Sequence, residues 1–220
     1  MGELNFFLGL QGKQSQKGTL ISQQKYVKEL LTRFDMEASN IIDTPIATAT
    51  HLDMDEPGFP VDQTMYRGII VSLLYLTSSR PDIMFNVGLC ARFQYNPKES
   101  HLKAPKKILR YLKGAQDLAL YYPSGDNFDL VGYADDDYAR YLGTRKQNSV
   151  AFSTAEAKYV AAASCCAQLL WIKQQLEDFG VFSDCVPLLI KDQIADIFTK
   201  ALNREHFERN LLALGLIKPN

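Results

Sequence analysis

The sequence predicts an α+β protein in two parts: a helical part led by a β-hairpin, and a mixed part behind it. Three observations carry that expectation. Three consecutive helical patterns lie between residues 64 and 113, broken only at Arg80-Pro81 and Asn96-Pro97. Ahead of them, two short apolar runs flank Ser15-Gln16-Lys17-Gly18, which is hairpin turn chemistry. Behind them the character changes to short strand-like runs and one long Ala-rich helix. The best boundary between the parts lies between residues 114 and 125.

The elements follow in order. The apolar run 4–10 reads as the outgoing strand, which Gly12 weakens, and 19–21 as the return. Ser22 is placed to cap a helix whose apolar face is Tyr26, Val27, Leu30, Leu31 and Phe34. Residues 38–62 show no periodicity and contain Pro45, Pro57, Gly58 and Pro60, so they read as an exposed linker or wrapped loop. Helices are expected over 64–78, over 81–94 with Pro81 in the first turn, and over 100–113 closing on Gly114. Strands follow at 118–122 and 128–134 across the turn 123–127, with another at 148–152. Ser153-Thr154-Ala155-Glu156 has capping-box spacing and opens a helix running to about Asp178, before Gly180. A brief strand at 186–190 and short helices at 193–202 and 205–214 finish the chain.

Composition removes several classes of function. The chain is 46% hydrophobic and 22% charged, which is ordinary for a folded protein and excludes wholesale disorder. Twenty-four Lys and Arg against 25 Asp and Glu give a net charge of -1, which excludes a strongly basic nucleic-acid coat protein but not a local basic face. The longest apolar run, 69–76, is far too short for a membrane span, and the first residues lack a secretion signal. Cys90, Cys165, Cys166 and Cys185 show no CxxC spacing. They read as reduced, buried residues of an intracellular protein, cytoplasmic or nuclear.

Two constellations bear on chemistry. Lys103, Lys106, Lys107, Arg110 and Lys113 fall at offsets 0, 3, 4, 7 and 10 and share one helical face. Such a face can neutralise successive phosphates, but it is equally the solvated side of an amphipathic helix. Pro105 inside the stripe either starts the helix or kinks it. The second constellation is Asp135-Asp136-Asp137 at a strand end. Clustered carboxylates suit a two-metal hydrolytic site, and they also make a polar turn. Glu156 is explained by its capping box and Asp196 by its place near a helix start. His51, His101 and His206 have no ligand spacing. Tyr121 and Tyr122 could stack on bases or simply pack.

Several strings, taken in order, carry a resemblance. They include Asn5-Phe6-Phe7-Leu8-Gly9, Ile21-Ser22-Gln23-Gln24-Lys25-Tyr26, Tyr66-Arg67-Gly68 and Arg80-Pro81-Asp82-Ile83. Then come Ile108-Leu109-Arg110-Tyr111-Leu112-Lys113-Gly114, Gly132-Tyr133-Ala134-Asp135, Ser153-Thr154-Ala155-Glu156-Ala157 and Ala195-Asp196-Ile197-Phe198-Thr199-Lys200. The ordered set resembles the C-terminal part of the Pol polyprotein of plant copia-type LTR retrotransposons. The resemblance implies that 1–117 match the C-terminal part of reverse transcriptase, with a primer-grip-like hairpin and thumb and connection helices. It implies that 118–220 match a ribonuclease H-like α/β domain, truncated and incomplete. The basic stripe would then be a phosphate-facing remnant.

The resemblance also shows what is missing. The family's polymerase motif Tyr-Val-Asp-Asp occurs nowhere in the chain. The family's ribonuclease H holds two metal ions, Mg or Mn, with four carboxylates. Asp135 matches the first and Asp196 the fourth. Lys158 stands where the second, a Glu, is expected, and Glu156 is two residues away on a different face. The third belongs to a Cys-Asp-Asn motif, yet Ile190-Lys191-Asp192-Gln193 leads straight into the last helices. Stretches between Asp137 and Lys146 and between Leu189 and Gln193 are absent relative to the family. Val71, in place of a usual Gly, and Pro105 fit the same decay. The expected function is thus a degenerate reverse transcriptase and ribonuclease H remnant, catalytically inactive and without a cofactor of its own. One alternative is a non-catalytic module that binds an RNA–DNA hybrid or template–primer duplex weakly through the 103–113 face. Another is a live nuclease in which Asp137 or Glu156 replaces the missing ligands. No membrane partner is expected.

Overall fold

The structure is a computed structural model that describes residues 6–46, 52, 57–125, 130–133, 154–182, 186–189 and 194–219. It is an α+β protein that divides into two compact units. Unit 1 comprises Met1–Ser124 and Ile197–Asn220, and unit 2 comprises Gly125–Asp196. Unit 1 is therefore built from both ends of the chain.

Among the described residues, unit 1 contains one antiparallel sheet and five α-helices. The strands are β1 (Phe6–Phe7), β2 (Leu10–Ser15), β3 (Gly18–Ser22), β4 (Ala119–Pro123) and β7 (Leu216–Ile217), in the order β1-β2-β3-β4-β7. The hairpin is present, but its outgoing strand is 10–15 rather than 4–10. The two-residue turn at Gln16-Lys17 sets this register, pairing Ser15 with Gly18 and Gln11 with Ser22. Gly18 is required there: its φ is +151°, and a Cβ would lie 2.3 Å from the Tyr122 carbonyl oxygen. Because β3 extends through Ser22, that residue does not cap α1 (Gln24–Arg33). Gln23 takes the cap position instead, without a side-chain cap bond.

Four further helices complete unit 1: α2 (Gln63–Leu76), α3 (Met84–Ala91), α4 (Glu99–Gly114) and α6 (Arg204–Ala213). Asp62 caps α2 by accepting from the Met65 backbone N–H at 2.9 Å. Pro81 opens a 3-10 turn, Pro81–Ile83, that leads into α3. The expected helix over 81–94 is therefore split and shorter. The core is a continuous cluster in which Leu30, Tyr66, Ile70, Leu73, Leu76, Ile83, Val87, Ile108 and Leu112 are all fully buried. The C-terminal segment joins this core through Ile197 and Phe207, and Phe207 meets the Tyr111 ring edge-on at 5.6 Å.

The sequence reads 118–122 and 128–134 as strands across a tight turn, but β4 pairs with β3 and β7 instead. In the second stretch only β5 (Gly132–Tyr133) is strand among the described residues. In unit 2, β5 pairs in parallel with β6 (Leu188–Leu189), and α5 (Thr154–Asp178) lies between them in sequence and packs on β5. This is a β-α-β crossover. The expected strand at 148–152 lies outside the described residues. A 3-10 turn, Ile194–Phe198, leads back to unit 1.

No helix among the described residues is long and apolar enough to cross a membrane. Nor does the sequence's expectation of buried cysteines hold throughout. Cys90 is buried, Cys165 is half-buried and Cys166 is exposed, all as free thiols, while Cys185 lies outside the described residues.

Candidate nucleic-acid interface

Helix α4 is the element that positions the basic stripe. It runs unbroken from Glu99 to Gly114 with Pro105 inside it, so Pro105 does not start the helix. The proline ring is buried, and Pro105 has no N–H to donate within the helix. At the start of the helix, the Lys98 backbone N–H donates to His101 Nδ1 at 3.0 Å, and the imidazole stacks on Phe93 at 4.1 Å. Ala104, Ile108, Leu109, Tyr111 and Leu112 face the core. This one-sided burial turns the cationic side outward.

The C-terminal end of α4 is fixed by a buried ionic network. Arg80 donates through Nε to Asp82 Oδ1 at 3.0 Å and through NH2 to Asp82 Oδ2 at 2.6 Å. Its third arm, NH1, donates to the Ala115 carbonyl at 2.8 Å, just past the end of α4. The Tyr111 hydroxyl donates to the same Asp82 Oδ2 at 2.6 Å. The Arg80 and Asp82 side chains are 3% and 0% exposed, so every arm of the guanidinium fork is used where water is excluded. Burial opposes the Arg80 charge, but Asp82 outweighs it and holds the guanidinium above its usual range. Burial first, and then the Asp82 charge, push the Tyr111 hydroxyl up, which keeps it a donor. In the sequence, Arg80-Pro81-Asp82 belongs to one of the strings that carry the family resemblance and shows no chemistry of its own. Its signal was a charged pair flanking a proline between two apolar helices. Nearby, the Tyr66 hydroxyl donates to the Cys90 carbonyl at 2.9 Å and ties α2 to α3.

On the outer side of α4, Lys103, Lys106 and Arg110 are exposed and Lys107 is half-buried. Lys113 is also half-buried and donates through Nζ to the Ser39 carbonyl at 2.7 Å. Three cations of the stripe are thus fully presented, one is presented in part, and one holds the 36–46 segment to the helix. Glu99 heads the same face, exposed, four residues before Lys103. Charge is uneven between the units. Unit 1 carries eighteen Lys and Arg against fourteen Asp and Glu, whereas unit 2 carries six against eleven. Of the two tyrosines on β4, Tyr121 donates its hydroxyl to the Lys17 carbonyl at 2.6 Å, and Tyr122 is 53% exposed.

The acidic residues are placed only in part. Asp135, Asp136 and Asp137 lie outside the described residues. Asp196 is half-buried in the 3-10 turn Ile194–Phe198. The backbone of Lys158 and Glu156 belongs to the first turns of α5. No group of three or more His, Cys, Asp or Glu gathers among the described residues.

No protein-family model and no solved structure matches the chain. Three curated relatives are informative. The chain is 32% identical, over 87% of its length, to the retrovirus-related Pol polyprotein from transposon RE1 of Arabidopsis thaliana, of which the alignment covers 14%. It is 30% identical, over 96% of its length, to the Pol polyprotein from transposon RE2 of the same plant, of which 16% is covered. It is 27% identical, over 78% of its length, to an uncharacterised mitochondrial protein of Arabidopsis thaliana, of which 79% is covered. The chain spans about a seventh of the length of the Pol polyproteins it matches. It belongs to the retrovirus-related Pol polyproteins of plant copia-type transposons.

Proposed function

We propose that the chain is a reverse transcriptase–ribonuclease H segment of such a polyprotein that retains phosphate-directed binding of RNA–DNA hybrid or duplex and has lost catalysis. One observation carries the binding half. Lys103, Lys106 and Arg110 stand exposed at offsets 0, 3 and 7 on a helix whose opposite side and C-terminal end are fixed by burial. A row of fixed cations follows a phosphate backbone without reading bases. The cation excess of unit 1 supports this reading, and the acid excess of unit 2 keeps the binding local. In this reading the hairpin and helices of unit 1 correspond to primer-grip, thumb and connection elements. The β5–α5–β6 crossover of unit 2 is the remnant of the ribonuclease H-like sheet and helix.

The loss of catalysis rests on the donor set. A two-metal site needs several bridging carboxylates, and Lys158 places a cation where one belongs. With the third ligand's motif also absent, the residues do not fit a pair of Mg or Mn ions. Asp135 and Asp196 remain as remnants of that site. The test is a labelled RNA–DNA hybrid incubated with the protein and Mg or Mn. The hybrid is retained at low salt and stays uncut. Metal-dependent cleavage abolished by Asp135→Asn would overturn the catalytic half of the reading.

A further inference from the structure

Between α3 and α4 the chain turns through residues 92–96, and two side chains of α2 hold that turn. Gln63 Nε2 donates to the carbonyls of Gln94, at 3.1 Å, and of Tyr95. Arg67, one helical turn further on, donates through Nε to the same Gln94 carbonyl at 3.2 Å. Gln94 Nε2 closes back on the Ala91 carbonyl at 2.9 Å. The backbone at Tyr95 is thereby fixed, yet the residue is 87% exposed. Arg67 is tethered at Nε alone. It is exposed, and its NH1 and NH2 have no partner among the described residues. Arg92, also exposed, ends α3 two residues before Gln94. No acid occurs from 63 to 81 or from 83 to 98. Asp62, at the start of α2, is used as a cap and takes the Met65 N–H.

We propose that Arg67 and Tyr95 form a nucleotide subsite for an unpaired strand, with the Tyr95 ring stacking on a base and Arg67 NH1 and NH2 taking a neighbouring phosphate. A guanidinium tethered at Nε keeps its two-pronged end for one anion, and its planar fork matches phosphate oxygens. An exposed aromatic face stacks on any base. Only an unpaired base can be splayed out to offer that face, so the strand is single there. A phosphorylated peptide would use the guanidinium and leave the ring idle. The proposal rests on the hybrid-binding reading of α4 and adds the substrate class, a hybrid or duplex with a single-stranded extension. From Tyr95 to Glu99 the backbone spans at most about 14 Å, and from Glu99 to Lys103 the helix rises about 6 Å. At about 3.4 Å per nucleotide, an extension of roughly six nucleotides covers that span.

Fluorescence anisotropy with the full chain tests this, using one blunt RNA–DNA hybrid and the same hybrid with an unpaired extension of about six nucleotides. The extension should tighten binding about tenfold. Tyr95→Ala should remove that gain and leave the blunt hybrid within about twofold, whereas Tyr95→Phe keeps the gain. Arg67→Ala should flatten the salt slope for the extended substrate by about 0.7. With 5-iodouracil in the extension, photocross-links should fall on Tyr95, as read by peptide mass. Both replaced side chains are exposed, and circular dichroism checks that the variants fold. No gain from the extension, a gain that survives Tyr95→Ala, cross-links that avoid Tyr95, or a phosphoserine peptide that competes better than the free single strand would each overturn the proposal. If the blunt hybrid does not bind while the extended one binds through Tyr95, the α4 reading fails and the subsite stands.

Discussion

Units 1 and 2 are made from similar residues and end up differently. Every apolar side chain that is buried among the described residues belongs to unit 1. Unit 2 contains a 25-residue helix, yet Tyr159, Leu170, Trp171, Phe179 and Phe182 are largely exposed and none of its described apolar side chains is fully buried. The difference lies in the number of layers rather than in composition. In unit 1, helices α2, α3 and α4 pack on one another, and segments from both ends of the chain close the core. Among the described residues of unit 2, one helix meets a two-stranded ladder, and no second layer contributes a buried apolar side chain. Apolar content thus becomes stability only where a second surface is supplied.

The largest expected effect that separates the units comes from the ionic network. Asp82→Ala leaves Arg80 charged, buried and unpaired, which costs about 3–5 kcal/mol. Thermal unfolding followed by near-ultraviolet circular dichroism should lose the unit 1 transition or move it sharply down. A shift of only a degree or two would mean that Arg80 reaches water and that the network is not what holds the end of α4.

Native-state hydrogen exchange sharpens the same contrast. At a concentration of a few micromolar, amides in α2 and α4 should be the slowest in the chain. Those of α5 should exchange on the order of 10²-fold faster or more, because few buried contacts oppose local opening. Equal protection in α5 and α4 would erase the distinction between the two units.

Thiol chemistry gives a smaller, local readout. Burial pushes the Cys90 thiol up to about 12 from an ordinary 9.0. The folded state therefore favours the neutral thiol. That contribution to stability is complete below pH 9 and is lost as the pH rises from 9 towards 12. At pH 8 in native buffer, iodoacetamide should modify the exposed Cys166 and spare Cys90 until denaturant is added, as read by peptide mass. Prompt native labelling of Cys90 would show that the α2–α3 core opens.

The sequence made local structure legible and long-range pairing illegible. Helix α5 follows from its capping-box spacing and the Gly180 stop, and α2 and α4 follow from their apolar periodicity. What failed involved partners distant in the chain. Strand β4 sits between β3 and β7, and β7 is a two-residue strand with no pattern of its own. Ser22 looked like a helix cap because nothing local shows that β3 claims it. The basic stripe was readable from spacing alone, but the capture of Lys113 by the Ser39 carbonyl needed the fold of a segment without periodicity. The Arg80–Asp82–Tyr111 network joins residues 29 apart. It escaped because a buried charge pair has the same letters as an exposed one.

The central claim is that unit 1 holds nucleic acid through the outer face of α4, and the salt dependence of hybrid binding tests it most directly. The measurement compares the full chain with Lys106→Ala/Arg110→Ala over a range of low to moderate salt, using one RNA–DNA hybrid and one unrelated sequence. Each lost phosphate contact lowers the slope of log K against log salt by about 0.9. The double variant should therefore bind more weakly, with a slope flatter by roughly two, equally for both sequences and with unchanged thermal stability. An unchanged slope and affinity would make the stripe an ordinary solvated helix face and contradict the account.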